Sequence, residues 1–129
     1  MKKELLILLC LPMIGFGQFN LKTYVPDDNF ENYLEVMGMG DGIPTNDSVL
    51  TGNINTVVSL NVDNQNISNL TGIEDFTNLT YLQCNDNQLN SLDVSNNVNL
   101  TDLYCYYNQI TSLDVSANLA LTILWCSDN

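Results

Sequence analysis

The amino-acid sequence predicts a solenoid of short stacked coils, and three observations carry that prediction. Cys84, Cys105 and Cys126 are separated by steps of 21 and 21 residues. Around them LTYLQCNDNQLNSLDVSNNVN (79–99) is followed by LTDLYCYYNQITSLDVSANLA (100–120), and LTILWCSDN (121–129) opens a further copy. In each copy the pairs Leu82 and Cys84, Leu103 and Cys105, and Leu124 and Cys126 alternate with other residues, marking a very short strand with every second side chain inward. A fixed period of this size means one coil per repeat, each stacked on its neighbours. Their strands then form a parallel sheet.

Residues 1–17 have the character of a secretory signal: Lys2 and Lys3, an apolar run from Leu5 to Phe16, and small residues at Gly15 and Gly17. The run falls short of the roughly 20 residues a permanent span needs. Cleavage after Gly17 leaves Gln18 first and no membrane span.

Residues 18–56 do not repeat. Asp28 and Glu31 form a capping-box pair, Phe30, Tyr33, Leu34 and Met37 lie on one face, and Gly38 suits a stop, so a helix is expected over 28–37. It precedes the first coil, where a solenoid needs a cap. The loop 38–48 is rich in turn residues. Its Asp41 and Asp47 match no calcium-loop spacing, so no metal site is assigned. Val49, Leu50 and Ile54 read as the start of sheet.

The coils occupy 57–129, as 57–78, 79–99, 100–120 and the partial 121–129. The first has 22 residues, with Val62 where the others have cysteine, and its back half GIEDFTN suits a short helical turn around Ile73 and Phe76. Leu92-Asp93-Val94 and Leu113-Asp114-Val115 alternate as well, predicting a second, weaker strand ladder on the opposite side. Asn87, Asn108 and Asn129 fall where the chain turns after each strand; inward amides there satisfy the backbone of neighbouring coils as a ladder. Asn97 and Asn118 suit the same role at the second turn.

From Val57 onward this pattern resembles LxxLxLxxNxL, the signature of the leucine-rich-repeat family. Cysteine at the third leucine position, in a 21-residue unit with LDVS behind it, resembles the internalin group of bacterial surface proteins. YVPDDNF and GIEDFTNLTYL are similar to stretches of secreted bacterial leucine-rich-repeat proteins. The resemblance implies a leucine-rich-repeat solenoid with a mostly β or loop back side and a small helical cap. It also implies a secreted or surface-exposed bacterial protein that adheres or recognises, without catalysis or cofactors.

Composition narrows the chemistry. Without Lys2, Lys3 and Glu4, the mature chain has 14 acidic residues against one lysine and no arginine or histidine, a formal charge of −13. Such a surface repels nucleic acid and anionic membranes. Without histidine there is no Ser–His or Cys–His pair, and the thiol row offers zinc no tetrahedral convergence. Three mature cysteines leave one unpaired, and parallel in-register thiols suit a disulfide torsion poorly, so a reduced core ladder is expected, with oxidation where a coil frays.

Binding is better supported. The outward positions are Ser59, Asn61 and Asp63; Tyr81, Gln83 and Asn85; Asp102, Tyr104 and Tyr106; and Ile123, Trp125 and Ser127. With Tyr107 beside them, the candidate concave-face contacts are Tyr81, Gln83, Asp102, Tyr104, Tyr106, Tyr107, Ile123 and Trp125. Outward aromatics suit a protein or glycan ligand, and they also stabilise a sheet by packing on one another. A structural spacer presenting a further domain is the alternative role. The repeats stop at Asn129 partway through a coil, so more coils are expected, and 18–129 alone should be marginally stable or self-associate through the uncapped C-terminal edge.

Overall fold

The computed structural model describes residues 20–129; residues 1–17, where a signal segment is expected, lie outside the described residues. A strand β1 (Lys22–Tyr24) pairs antiparallel with β2 (Ser48–Leu50), setting Thr23 opposite Val49. Helix α1 (Asp28–Val36) lies between them in the chain, and one short turn, α2 (Thr51–Ile54), follows β2 directly. Then come β3 (Ser59–Asn61), a 3-10 turn (Ile73–Asp75), β4 (Tyr81–Gln83), β5 (Asp102–Tyr104) and β6 (Ile123–Trp125).

Strands β3 to β6 form one parallel sheet in sequence order, and its register aligns Leu60, Leu82, Leu103 and Leu124. The solenoid and its sheet therefore follow from the period. Among the described residues no helix is long and apolar enough to cross a membrane. One apolar cluster runs from Val25, Phe30, Leu34 and Val49 through the leucines of the coils to Ile110. Phe30 of α1 stacks on Phe76 of the first coil with ring centroids 6.3 Å apart. Each such fully buried side chain contributes about 1.5–3 kcal/mol of hydrophobic stabilisation.

Three expectations need correction. The helix is not closed by a capping box between Asp28 and Glu31. Asp27 is the N-cap, its carboxylate accepting from the N–H groups of Asn29 (3.0 Å) and Phe30 (3.1 Å), and Asp28 is already helical. That frees Glu31, which is fully buried and accepts instead from the N–H groups of Asn46 (2.9 Å) and Asp47 (3.0 Å). Ile54 belongs to α2 rather than to sheet, because the Asn55 N–H closes a helical turn on the Thr51 carbonyl.

The third correction concerns the LDVS segments, which form no strand. Asp93 accepts from the Ser95 N–H (2.9 Å) and Asp114 from the Ser116 N–H (2.8 Å). These local side-chain bonds offer the backbone a turn in place of a ladder. The GIEDFTN segment does turn helically, at Ile73–Asp75, after Gly72. Gly72 has φ +105, and a Cβ there would stand 2.8 Å from a Val25 methyl, so the close approach of the two units excludes a side chain.

Polar bonds join the same units. The second oxygen of Asp27 accepts from the Ser68 N–H (2.9 Å), the Ser68 hydroxyl (2.8 Å) and the Asn69 N–H (3.1 Å) of the first coil. The Tyr33 hydroxyl donates to the Asn61 carbonyl (2.5 Å), and the Asn29 amide to that of Asn66 (3.0 Å). Burial pushes the Asp27 carboxyl up, but the bonds from Ser68, Phe30 and Asn69 outweigh it and hold it below its usual value.

A carboxyl depressed by folding stabilises above its unfolded pKa of about 3.9, and that contribution disappears as pH falls through the lower folded value. Asp27→Ala is therefore expected to lower stability by about 2 kcal/mol at neutral pH, with the deficit shrinking toward pH ~2. Urea denaturation of both proteins across that range checks it; a deficit independent of pH refutes the ionic role.

Candidate functional site

The outward face is positioned by side-chain ladders that tie each coil to the one before. Asn87 donates to the carbonyls of Val62 (2.8 Å), Cys84 (3.1 Å) and Asn85 (3.2 Å), and accepts from the Gln65 (3.2 Å) and Ile67 (2.9 Å) N–H groups. Asn108 donates to the carbonyls of Cys84 (3.0 Å), Cys105 (3.1 Å) and Tyr106 (3.3 Å) and accepts from the Leu89 N–H (3.0 Å). Asn129 makes the corresponding bonds to Cys105, Cys126, Ser127 and Ile110. At the second turn, buried Asn97 donates to the Ile73 and Phe76 carbonyls, and Asn118 to those of Val94 and Asn97. Thr80, Thr101 and Thr122 form another column, each hydroxyl reaching a carbonyl of the preceding coil at 3.0–3.1 Å.

Cys84, Cys105 and Cys126 are all free; the first two are buried, and Cys126 is exposed. Burial, reinforced by the neighbouring thiol, pushes Cys84 far above the usual thiol range and Cys105 to about 11. Thiols so protonated are poor nucleophiles and fill space as small apolar groups.

On the outward side the aromatics form a continuous diagonal strip. Tyr81 of β4 meets Tyr104 of β5 with centroids 5.5 Å apart, and Tyr104 meets Trp125 of β6 at 5.6 Å. Tyr106 lies 6.3 Å from Trp125 and packs edge-on to Tyr107 at 5.3 Å. The rings are tilted by 42° to 76°, the offset and edge-on geometry that aromatic pairs favour. Gln83 is pinned in place, accepting from the Tyr81 hydroxyl (2.6 Å) and donating to Asp63 (3.4 Å). Asp102 accepts from the Thr101 hydroxyl (2.5 Å). Burial raises the Tyr81 pKa, and the nearby tyrosines, Asp102 and Asp63 add to that shift. Trp125 and Ile123 share the outward side of β6, the last strand of the sheet described, where even the inward Leu124 is 40% exposed.

Asn85 does not join this face. It is buried and donates to Asp86 (2.7 Å), because the chain leaves the strand at Gln83 and turns sharply at Asp86. That turn belongs to a column absent from the sequence reading: Asn64, Asp86, Tyr107 and Asp128 all have φ between +51 and +55. Asparagine and aspartate tolerate the left-handed region, and their recurrence in the column was the available signal. Tyr107 is the exception, a bulky exposed ring at a backbone conformation that costs of order 1 kcal/mol.

Asp28, Glu31 and Asp47 bring oxygens within 4.8 Å of one another, and the two Glu31 oxygens also accept from the Asn46 and Asp47 N–H groups. Asp41 pairs with Lys22 at 2.7 Å, and Lys22 and Asn46 together hold its carboxyl at about 2.

Two stability measurements follow. Asn108→Ala removes donors and an acceptor from two coils and is expected to cost about 3 kcal/mol. Tyr107→Asn relieves the backbone and is expected to gain about 1 kcal/mol. Urea denaturation reads both, and loss of stability in Tyr107→Asn overturns the strain assignment. Cys84 and Cys105 should also resist alkylation until the chain unfolds, as mass spectrometry of iodoacetamide-treated protein can check.

No protein-family model and no curated protein matches the chain. Solved structures do. A functional domain of InlJ from Listeria monocytogenes, described as including a cysteine ladder, is 35% identical, with a TM-score of 0.70 over 83% of this chain and 24% of that one. The internalin InlF from the same organism is 32% identical, with a TM-score of 0.67 over 80% of this chain and 30% of that one. The chain thus spans about a quarter to a third of the length of these structures. The likeness reaches beyond the backbone to the coil pattern and its column of thiols: this is an internalin-like leucine-rich-repeat protein.

Proposed function

We propose that the chain is a noncatalytic binding module of an exported bacterial protein, which contacts a protein ligand through the outward face of its parallel sheet. The observation that carries this reading is the aromatic strip on the outward face, with Tyr104 at its centre in contact with both Tyr81 and Trp125. Tyrosine and tryptophan dominate the energetics of protein interfaces because they bury large areas at low entropic cost. Tyr81, Gln83, Asp102, Tyr104, Tyr106, Tyr107, Ile123 and Trp125 make up the contact surface.

In this reading residues 20–56 act as a cap. They cover the apolar end of the first coil through the Phe30–Phe76 stack and the Asp27 bonds, and so keep the first strand of the sheet in place. The exported location rests on the signal-like residues 1–17 and on the internalin resemblance.

Tyr104→Ala combined with Trp125→Ala is expected to weaken ligand binding at least tenfold, the loss of two interface anchors, while the melting transition shifts only modestly. Binding of labelled variant and parent to an array of immobilised proteins reads the effect. Equal binding by a folded double variant removes the strip from the function.

A further inference from the structure

We infer that the strip is a docking surface for a basic protein segment, taking lysine and arginine side chains between its aromatic rings and the carboxylates that border it. This rests on the proposed binding role of the face and adds the charge of the partner.

The carboxylates stand at both margins. Gln83, within the strip, donates to Asp63, and Asp102 precedes Tyr104 by two residues on the same strand, so both project outward. At the turn, Tyr107 sits in the left-handed column between Asp86 of the coil before and Asp128 of the coil after. The turns of that column are joined by backbone bonds, from the Asp86 N–H to the Tyr106 carbonyl and from the Tyr107 N–H to that of Ser127. An exposed ring is thus held one coil step from an aspartate on either side. A guanidinium or ammonium group over the ring face gains both the π attraction and the carboxylate pairing.

Nothing in the described chain competes for this role. Lys22 is the sole cation among residues 20–129, and it is bound to Asp41 in the N-terminal unit. The 14 acidic residues outside the signal segment raise the local concentration of cationic partners and repel acidic ones. Charge complementarity therefore selects a basic segment as the occupant.

The test is selection of a random dodecapeptide display library on the immobilised full chain at ~0.15 M salt, with counter-selection on the Tyr104→Ala/Trp125→Ala variant. Enrichment of peptides rich in lysine and arginine is expected. Their affinity should fall about tenfold for Asp86→Asn with Asp102→Asn, and less than about twofold for Asp93→Asn with Asp114→Asn, which removes equal charge on the other side of the coil. Equal losses from the two pairs would mean only diffuse attraction and would overturn the proposal. Strip-dependent peptides that are neutral or acidic would overturn the charge of the partner while leaving the binding face standing. If no peptide depends on the strip, both readings fall together.

Discussion

A coil of 21 residues must turn repeatedly, and each turn aims backbone N–H and carbonyl groups inward, where water cannot reach them. The rest of the structure depends on how asparagine meets that constraint. One amide offers two donors and an acceptor, and at Asn87, Asn108 and Asn129 it spends them on its own turn and on the coil before. Strand register, the buried thiol column and the direction of every outward side chain follow from that fixed step. Asn97 and Asn118 repeat the solution with one difference: their side-chain oxygens, like that of Asn85, take no hydrogen bond from the chain itself.

At the N-terminal end the ladder has no preceding coil to use. A carboxylate takes over: one Asp27 oxygen ends helix α1 and the other receives Ser68 and Asn69 of the first coil. Helix start and coil attachment are therefore one event, and a chain that loses one loses the other. Phe30 on Phe76 supplies the apolar side of the same junction, while Gly72 lets the backbones close.

Much of this was legible because repetition amplifies weak signals. Leu82, Leu103 and Leu124 mean little singly, but at a constant step they place the strands, and the aromatics on the opposite, outward side follow. Features that occur once had no such support. Strand β1 has three residues and a partner across the whole of α1, so no local pattern announces it. Asp27 and Asp28 are adjacent carboxylates, and only the coil that Asp27 also serves decides which one caps. The LDVS segments alternate as strands do, yet their aspartates bond to the following serine N–H and divert the backbone into a turn. Asn85 continues the strand's alternation on paper, but the left-handed turn at Asp86 takes it out of the face. Tyr107 was the least legible, because tyrosine carries no signal for positive φ and only its aspartate and asparagine counterparts disclose the column.

The threonine column has a further consequence. Each hydroxyl, like each amide of the asparagine column, reaches back one period and never two, so the bonding of any coil is indifferent to how many others exist. Removing or inserting a whole coil leaves the remaining bonds with partners of the same kind, whereas a partial deletion puts the bonds across it out of register. The architecture therefore favours arrays that lengthen or shorten by whole coils, altering reach and display area without having to solve the folding problem again.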